Sequence, residues 1–341
     1  MRIPEKKKST YDFYKNTKRD LFFQLHDEEI SKLIDYEGNI KNEYSEPIGS
    51  CPICKEKKFE FQFKKQGFNF KKCVNCSHIY VDPQINEQAL SKAYTGGDKS
   101  ASDVWMDVLL SSDNQEYDLK KYNVGLDLIS KYLSDKSPNP NILDIGCSIG
   151  LFLNEAKKRN WNCFGLELNT RAVDHAKKKF NLDVRRKLLT NSTFSDNFFD
   201  VITMWGVIEH LKDPVSVLRI VKKKLKKDGI FLTFCPNAMS LVCRVIQSKA
   251  TCFDGHDHPQ NFSPCSIKFL LKKLGFKNLF LETYQPDLDP VLNHISGLPP
   301  YIKDKTDQKA INLLPKERSD IENFLSKNLL GYKMMTVSRK V

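Results

Sequence analysis

From Asn141 onward, short apolar runs recur between segments whose apolar positions are spaced three and four apart, so strands and helices are predicted to alternate. The first run, Asn141 to Ile145, has a single acid and reads as a buried strand. Helical spacing follows from Leu151, with Leu151, Phe152, Ala156 and the later Trp161 as its apolar positions. Trp161 to Leu168 is a second strand, and Asn169 can cap a helix over Thr170 to Phe180. A weak third strand covers Leu182 to Arg186, and a strong fourth runs from Phe198 to Trp205. Asp213-Pro214 starts a helix to Lys227, followed by a fifth strand over Gly229 to Cys235. Ser263-Pro264 opens a helix to Leu274, and Gly275-Phe276 leads into a sixth strand ending near Tyr284. Leu330 to Lys340 is the last strand. Repeated strand-helix units predict an α/β, doubly wound parallel sheet covered on both faces.

Ahead of this domain the pattern is different. Residues 1 to 50 are polar and lysine-rich, with one helix over Leu21 to Leu33. Residues 51 to 82 alternate, with Phe59, Phe61 and Phe63 on one face, a turn at Gly67, then Phe68 and Phe70, which predicts two short strands. Residues 83 to 137 are helical, over Gln84 to Tyr94 and Tyr117 to Leu133, and Ser137-Pro138-Asn139-Pro140 is a stiff linker. The chain thus divides into a polar segment 1–50, a unit at 51–82, a helical segment 83–137 and a domain 138–341. Within that domain, residues 285 to 329, with several prolines and one helix near Lys316 to Asn328, form a cap insertion.

The chain has 341 residues and a net charge of +12. No apolar run reaches the roughly 18 residues that cross a bilayer, and the basic start has no apolar stretch behind it. A cytoplasmic location is expected. The positive charge is mostly lysine, scattered along helix faces such as Lys177 to Lys179 and Lys222 to Lys224. Arginine, which suits bidentate phosphate contacts, is scarce, so nucleic acid is disfavoured as a partner without being excluded.

Four of the ten cysteines form two tight pairs, Cys51 with Cys54 and Cys73 with Cys76. This is the spacing of a four-cysteine zinc ribbon, each CxxC pointing two sulfurs at one metal. So short a unit cannot build its own core, so Zn2+ would supply the stability. His78 is left to packing, because four thiolates already satisfy zinc. The other six cysteines are scattered among apolar residues, as core thiols of a reducing compartment.

The chemistry centres on the stretch NILDIGCSIGLFL, from Asn141 to Leu153. A strand, a turn with Gly146 and Gly150 and a helix start together make a cradle for a nucleotide. The second strand ends in Glu167, about 20 residues beyond the turn, where a carboxylate holds a ribose diol. At these residues the chain resembles the class I S-adenosylmethionine-dependent methyltransferases, whose first motif falls on Asp144, Gly146, Ser148 and Gly150. The family often has glycine where this chain has Ser148. The resemblance implies a Rossmann-like sheet of seven strands with the last antiparallel, and S-adenosyl-L-methionine as cofactor. Asp144, Gly146, Cys147, Gly150, Glu167 and Trp205 are the expected cofactor-binding positions. It also implies that the helical segment before the first strand lies over the cofactor, with Tyr94, Tyr117 and Tyr122 as candidate contacts. Some resembling bacterial enzymes of sugar and cell-surface pathways carry such a ribbon ahead of the domain.

Ligands of an open parallel sheet sit at the carboxyl ends of its strands. Glu209-His210 follows the fourth strand and resembles the family's EHL segment. His210 can take a proton from an attacking hydroxyl, with Glu209 holding its ring. His256 and His258, in the loop from Thr251 to Pro264, lie on the same side and stand open as catalytic bases, ligands of a second metal, or staples of the loop. His26, His78 and His294 fall in peripheral segments and His175 within a helix. The resemblance implies methyl transfer to a small-molecule acceptor, such as a nucleotide-linked sugar or cell-surface precursor. The alternatives are an RNA methyltransferase gripping RNA with the ribbon, and a binding module with a degenerate domain. Acceptor atom and oligomeric state are not legible in the sequence.

Overall fold

The computed structural model describes residues 16–89, 100–133, 138–285, 288–301 and 318–341. In chain order, helix α1 (Arg19–Ser31) precedes β1 (Ser45–Glu46), β2 (Phe59–Lys65), β3 (Phe68–Cys73), β4 (Ile79–Val81) and β5 (Gln84–Ile85). Then come α2 (Ala101–Leu110), α3 (Ser112–Tyr132), β6 (Asn141–Ile145), α4 (Leu151–Lys157), β7 (Asn162–Leu166), α5 (Thr170–Phe180) and β8 (Asp183–Arg185). They are followed by β9 (Phe199–Trp205), α6 (Pro214–Lys224), β10 (Leu225–Pro236), α7 (Leu241–Ile246), β11 (Gln260–Asn261) and α8 (Pro264–Lys273). β12 (Phe276–Tyr284), α9 (Leu288–Ile295), α10 (Arg318–Lys327) and β13 (Lys333–Lys340) complete the described elements.

Helix starts follow local chemistry. Asn169 accepts the Ala172 amide and so caps α5; Asp213 caps α6, with Pro214 in its first turn. Ser263 and Ser266 form a capping box ahead of α8.

Seven strands make one sheet in the order β12-β13-β10-β9-β6-β7-β8. Pairing is parallel from β8 to β10, and β13 runs antiparallel between β10 and β12. The expected Rossmann-like methyltransferase sheet, with its last strand reversed, is what the chain adopts. The chain leaves β6 toward β7 and β8, then returns to place β9 on the other side of β6. That reversal opens a crevice at the carboxyl ends of β6 and β9.

Period-two alternation sends β10 to two cores. Phe231 and Cys235 pack with α6 and α8, whereas Ile230, Leu232 and Phe234 pack toward α3. The cysteine knuckles join the first of these cores, where Cys51, Ile53, Cys73 and Tyr80 are fully buried. The unit at 51–82 therefore shares its apolar surface with the main sheet. Its strands lie in a separate sheet ordered β11-β4-β3-β2, so β11, from beyond the fifth main strand, completes it.

Several boundaries differ from expectation. Gln84–Ile85 is strand, pairing with Ser45–Glu46, where helix is predicted from Gln84; two short polar segments find partners in each other that no local pattern announces. The fifth main strand starts at Leu225, because Leu225 pairs with Phe199 before an irregularity brings Ile230 opposite Val201. The preceding helix accordingly ends at Lys224 and not Lys227. Tyr94 and Ser137 lie outside the described residues. In 285–329 two helices are described, α9 and α10, the second matching the predicted one. Among the described residues no helix is long and apolar enough to cross a membrane.

Candidate active site

The turn after β6 requires left-handed backbone at Gly146 (φ 69°), Ser148 (φ 51°) and Gly150 (φ 82°). A side chain at Gly146 would bring its Cβ within 2.6 Å of Val207, so glycine is required there for space as well as conformation. Ser148 takes the same conformation at a cost of about 1–2 kcal/mol. The amides of Gly146 and Cys147 donate to the Leu166 carbonyl at 2.8 and 3.0 Å. The Ser148 amide donates to Glu167 Oε2 at 2.9 Å, while Leu168 and Asn169 amides donate to Oε1 at 2.6 and 2.8 Å. Glu167 thus ties the turn to the end of β7 and faces the cleft with acceptor capacity left on Oε2.

Asp144 is buried on β6 and accepts a hydrogen bond from Thr203 Oγ1 at 2.7 Å. Burial drives its carboxyl up to about 8, against the Thr203 bond, and the charge of Glu167 adds to the rise. It is a neutral acid at neutral pH. Trp205 closes the end of β9 within an aromatic group, its ring centroid 4.9 Å from Tyr122, 5.1 Å from Phe152 and 5.7 Å from Phe234. It is 9% exposed, so packing is its main role, although its indole Nε1 has no partner among the described residues. Lys121, paired with Asp118 at 2.7 Å, lies over the Tyr122 ring at 4.6 Å.

A cleft of about 1670 Å³ extends from this turn, past the end of β9, to the loop after α7 and the start of β13. Its lining carries Asp144, Gly146, Cys147, Glu167 and Trp205 at one end and His26, His210, His256 and His258 at the other. Gly150 sits behind the turn, where a Cβ would meet Ala176 at 2.8 Å. The residues suit an adenosyl sulfonium: a carboxylate at a strand end, a small-residue turn, and aromatic and acidic groups beyond it.

At the far end, the His210 and His258 rings lie edge to face, 4.7 Å between centroids. His258 Nδ1 is 3.0 Å from the Cys252 carbonyl, which leaves Nε2 to the cleft. Burial lowers the pKa of both imidazoles, and a proton on His210 would lower that of His258 further, so the neutral, proton-accepting form of each is favoured. Glu209 is 3% exposed, its Oε2 has no partner among the described residues, and burial raises its pKa. Donor atoms of Glu209, His210 and His258 lie within 4.8 Å of one another. The Asp257 backbone meets the His210 ring, and the Glu209 carboxylate, expected to hold that ring, stands within 4.8 Å of the nitrogens of both imidazoles. Lys333 faces Glu209 from β13, and burial lowers its pKa.

The turn carrying His256 and His258 is built on Asp254. Its Oδ1 accepts the His256 and Asp257 amides at 3.0 and 3.1 Å, and its carbonyl accepts the His258 amide at 2.9 Å. His256 Nδ1 is bonded to Asp257 Oδ1 at 2.7 Å. His26, expected to be peripheral, reaches this turn from α1: its Nε2 lies 2.7 Å from Asp254 Oδ2. The two are 228 positions apart in sequence, and the single helix predicted over Leu21 to Leu33 holds no sign of a partner. Lys121, Thr203 and Asp254 were also not singled out; the apolar strand and helix around them were visible, but not what they face.

The four sulfurs of Cys51, Cys54, Cys73 and Cys76 gather within 4.8 Å of one another, with Cys51–Cys76 at 3.5 Å and Cys54–Cys73 at 3.4 Å. Tetrahedral thiolates at about 2.3 Å from zinc are separated by roughly 3.8 Å, so the set suits that ion. His78 is buried away from them, its Nε2 on Gln260 Oε1 at 2.9 Å, in keeping with a packing role.

Residues 115–281 match a family model described as methyltransferase domain. Among curated relatives, a ubiquinone biosynthesis O-methyltransferase of Actinobacillus pleuropneumoniae is 31% identical over 99 residues, covering 26% of this chain and 42% of the relative. The chain thus spans less than half the length of that relative. One of the same name from Nitrosomonas europaea is 26% identical over 191 residues, covering 50% of this chain and 80% of the relative. A SAM-dependent methyltransferase structure from Archaeoglobus fulgidus aligns at a TM-score of 0.45 and 17% identity, covering 75% of this chain and 100% of that one. Over residues 115–281 the chain is thus similar to a methyltransferase domain.

Proposed function

We propose that this chain is an S-adenosylmethionine-dependent methyltransferase that methylates a hydroxyl on a small molecule. The observation that carries it is the single cleft joining the Glu167-tied glycine turn to the paired neutral imidazoles of His210 and His258. The cofactor supplies an already electrophilic methyl carbon. Glu167 binds the ribose hydroxyls, the Gly146–Gly150 turn lets the nucleoside approach the backbone, and Trp205 with Tyr122 closes the wall behind it. A hydroxyl acceptor must shed a proton as its oxygen attacks, and a ring nitrogen of His210, or Nε2 of His258, takes it. The walls around them exclude water and hold the acceptor in line. The relatives' printed O-methyltransferase name supports oxygen as the acceptor atom. Nucleotide-linked sugars and other cell-surface precursors remain the acceptor class we favour.

We propose further that Cys51, Cys54, Cys73 and Cys76 hold one Zn2+ as a structural site, within a ribbon unit at 51–82, followed by a helical segment 83–137 and a catalytic domain 138–341 with a cap at 285–329. Burial of the knuckles in the core of the main sheet supports a structural role over a grip on RNA.

The test is methyl transfer from labelled cofactor to sugar nucleotides, phenols and total RNA. Label entering a small hydroxyl compound, with turnover cut about 100-fold in His210→Ala or His258→Ala and cofactor affinity kept, is the expected result. Label in RNA alone would reject the small-molecule reading. Full activity in both variants would reject the histidine base.

A further inference from the structure

We propose that His26 is a positioning residue of the acceptor side: the N-terminal helix latches onto Asp254 through it and thereby sets the turn that presents His256 and His258. This rests on the methyltransferase reading above for what the turn does, though not for the latch itself.

Asp254 is the organising group of the turn, because it takes three backbone amides between its carboxylate and carbonyl. Only its Oδ2 is left over, and His26 Nε2 meets that oxygen at 2.7 Å. A second carboxylate oxygen, on Asp257, lies 3.9 Å from the same nitrogen. The His26 ring also packs edge to face on His256, 5.2 Å between centroids, and parallel to Phe22 at 5.5 Å. It is 5% exposed. Burial alone would lower its pKa; the hydrogen bond and charge of Asp254, with Asp257 and Glu29, raise it to about 9. Asp254 is held well below the usual carboxylate range, since the His26 bond and charge outweigh its own burial. The groups facing this pair are Glu29 on α1, Asp257, His256 and His258 in the turn, and Lys65 on β2. A charge-assisted bond inside the protein is stronger than a neutral one.

The same helix is tied at both ends to α2 and the start of α3. Glu29 Oε1 accepts the Ala101 amide at 3.0 Å, Arg19 Nη2 donates to Asn114 Oδ1 at 2.7 Å, and Lys18 pairs with Asp107 at 3.1 Å. Asp107 and Asp103 in turn hold Arg171 on α5. One helix therefore spans from the cofactor-side lid to the acceptor-side turn. His26, whose ring also borders the cleft, thus acts through Asp254 on the turn that carries His256 and His258.

The test uses the full chain with His26→Gln, His26→Ala, Asp254→Asn and the double variant His26→Ala/Asp254→Asn. Amide exchange at pH 7 should quicken in 254–261 by about tenfold or more in His26→Ala, the scale of one charge-assisted hydrogen bond. It should quicken less in His26→Gln, which keeps a donor. Peptides over 141–153 should exchange as in wild type, and calorimetric cofactor affinity should be unchanged. In ring-labelled protein, His26 should titrate near about 9 in wild type and distinctly lower in Asp254→Asn, where only the charges of Asp257 and Glu29 still oppose burial. The double variant should be no worse than the poorer single one. Unchanged exchange at 254–261 would overturn the latch, as would a His26 titration unaffected by Asp254→Asn. Faster exchange throughout the chain with a matching fall in Tm would assign His26 to general stability and overturn it equally. Loss of cofactor binding in wild type would count against the methyltransferase reading while leaving the exchange result intact.

Discussion

His78 and Gln260, 182 residues apart in sequence, meet side chain to side chain at 2.9 Å in the protein interior. The bond marks a seam. On one side is the cysteine unit; on the other is the strand that leaves the histidine-bearing turn. Along the seam Gln260 pairs with Tyr80 and Asn261 with Ile79, and the Val81 amide donates to the Pro259 carbonyl at 3.0 Å. The cysteine unit and the turn that carries His256 and His258 are therefore mechanically joined.

Cys76→Ser is expected to lower bound zinc from one per chain to none, read by elemental analysis. Because the seam is anchored on the unit those cysteines close, turnover should fall about tenfold or more as the outer support of a site is lost, with cofactor affinity kept. Wild-type turnover in a zinc-free variant would show that the seam holds without metal.

Gly255 lies on the same seam. A Cβ there would come within 2.1 to 2.7 Å of the buried Phe68 ring and its Cβ. Gly255→Ala should cost about 1–3 kcal/mol, as overpacked cores do, and the Gly255→Ala/Phe68→Leu pair should recover part of it. Chemical denaturation measures both. An unchanged midpoint in Gly255→Ala would mean that the turn can shift freely off the ribbon.

Glu167→Ala should weaken cofactor binding by about 1.5–3 kcal/mol, the range for hydrogen bonds to charged groups. The same change removes the anchor of the Ser148 amide, so exchange of that amide should quicken even without cofactor. Calorimetry at wild-type affinity would refute Glu167 as the ribose acceptor.

Asp144 gives stability a pH slope. Burial sets its carboxyl at about 8, against an ordinary 3.8, so the folded chain keeps a proton that the unfolded chain releases between those values. The stability this contributes is full below about pH 4 and is lost as pH rises through about 8. Asp144→Asn keeps the neutral form at every pH. Denaturant midpoints of cofactor-free wild type should therefore decline, relative to Asp144→Asn, between those limits. Parallel curves would mean that Asp144 is ionised in the fold.

Two kinds of information separate in this chain. Order along the chain was legible where one surface repeats: the order of the apolar strands from Asn141 to Tyr284, the caps at Asn169, Asp213 and Ser263, and the helix over Thr170 to Phe180 stand where the pattern puts them, although the fifth strand begins earlier, at Leu225. The glycine turn and Glu167 were legible too, because strand, turn and acid are local and only one backbone path connects them. The cysteine pairs were legible because two residues between cysteines already fold both sulfurs to one side.

The acceptor side was only half legible. His210 and His258 could be placed at strand ends from topology, but their contact and the proton-accepting state of both rings come from burial that no single segment encodes. His26 on α1 and Asp254, and His78 and Gln260, are separated by most of the chain, and neither member of a pair carries a pattern naming the other. Sequence by itself determined the succession of strands and helices from Asn141 onward and the glycine turn, since hydrophobic period and steric limits act over a few residues. Only tertiary structure decided which charges meet and which way the imidazoles face, because desolvation and hydrogen bonding depend on neighbours brought together by folding.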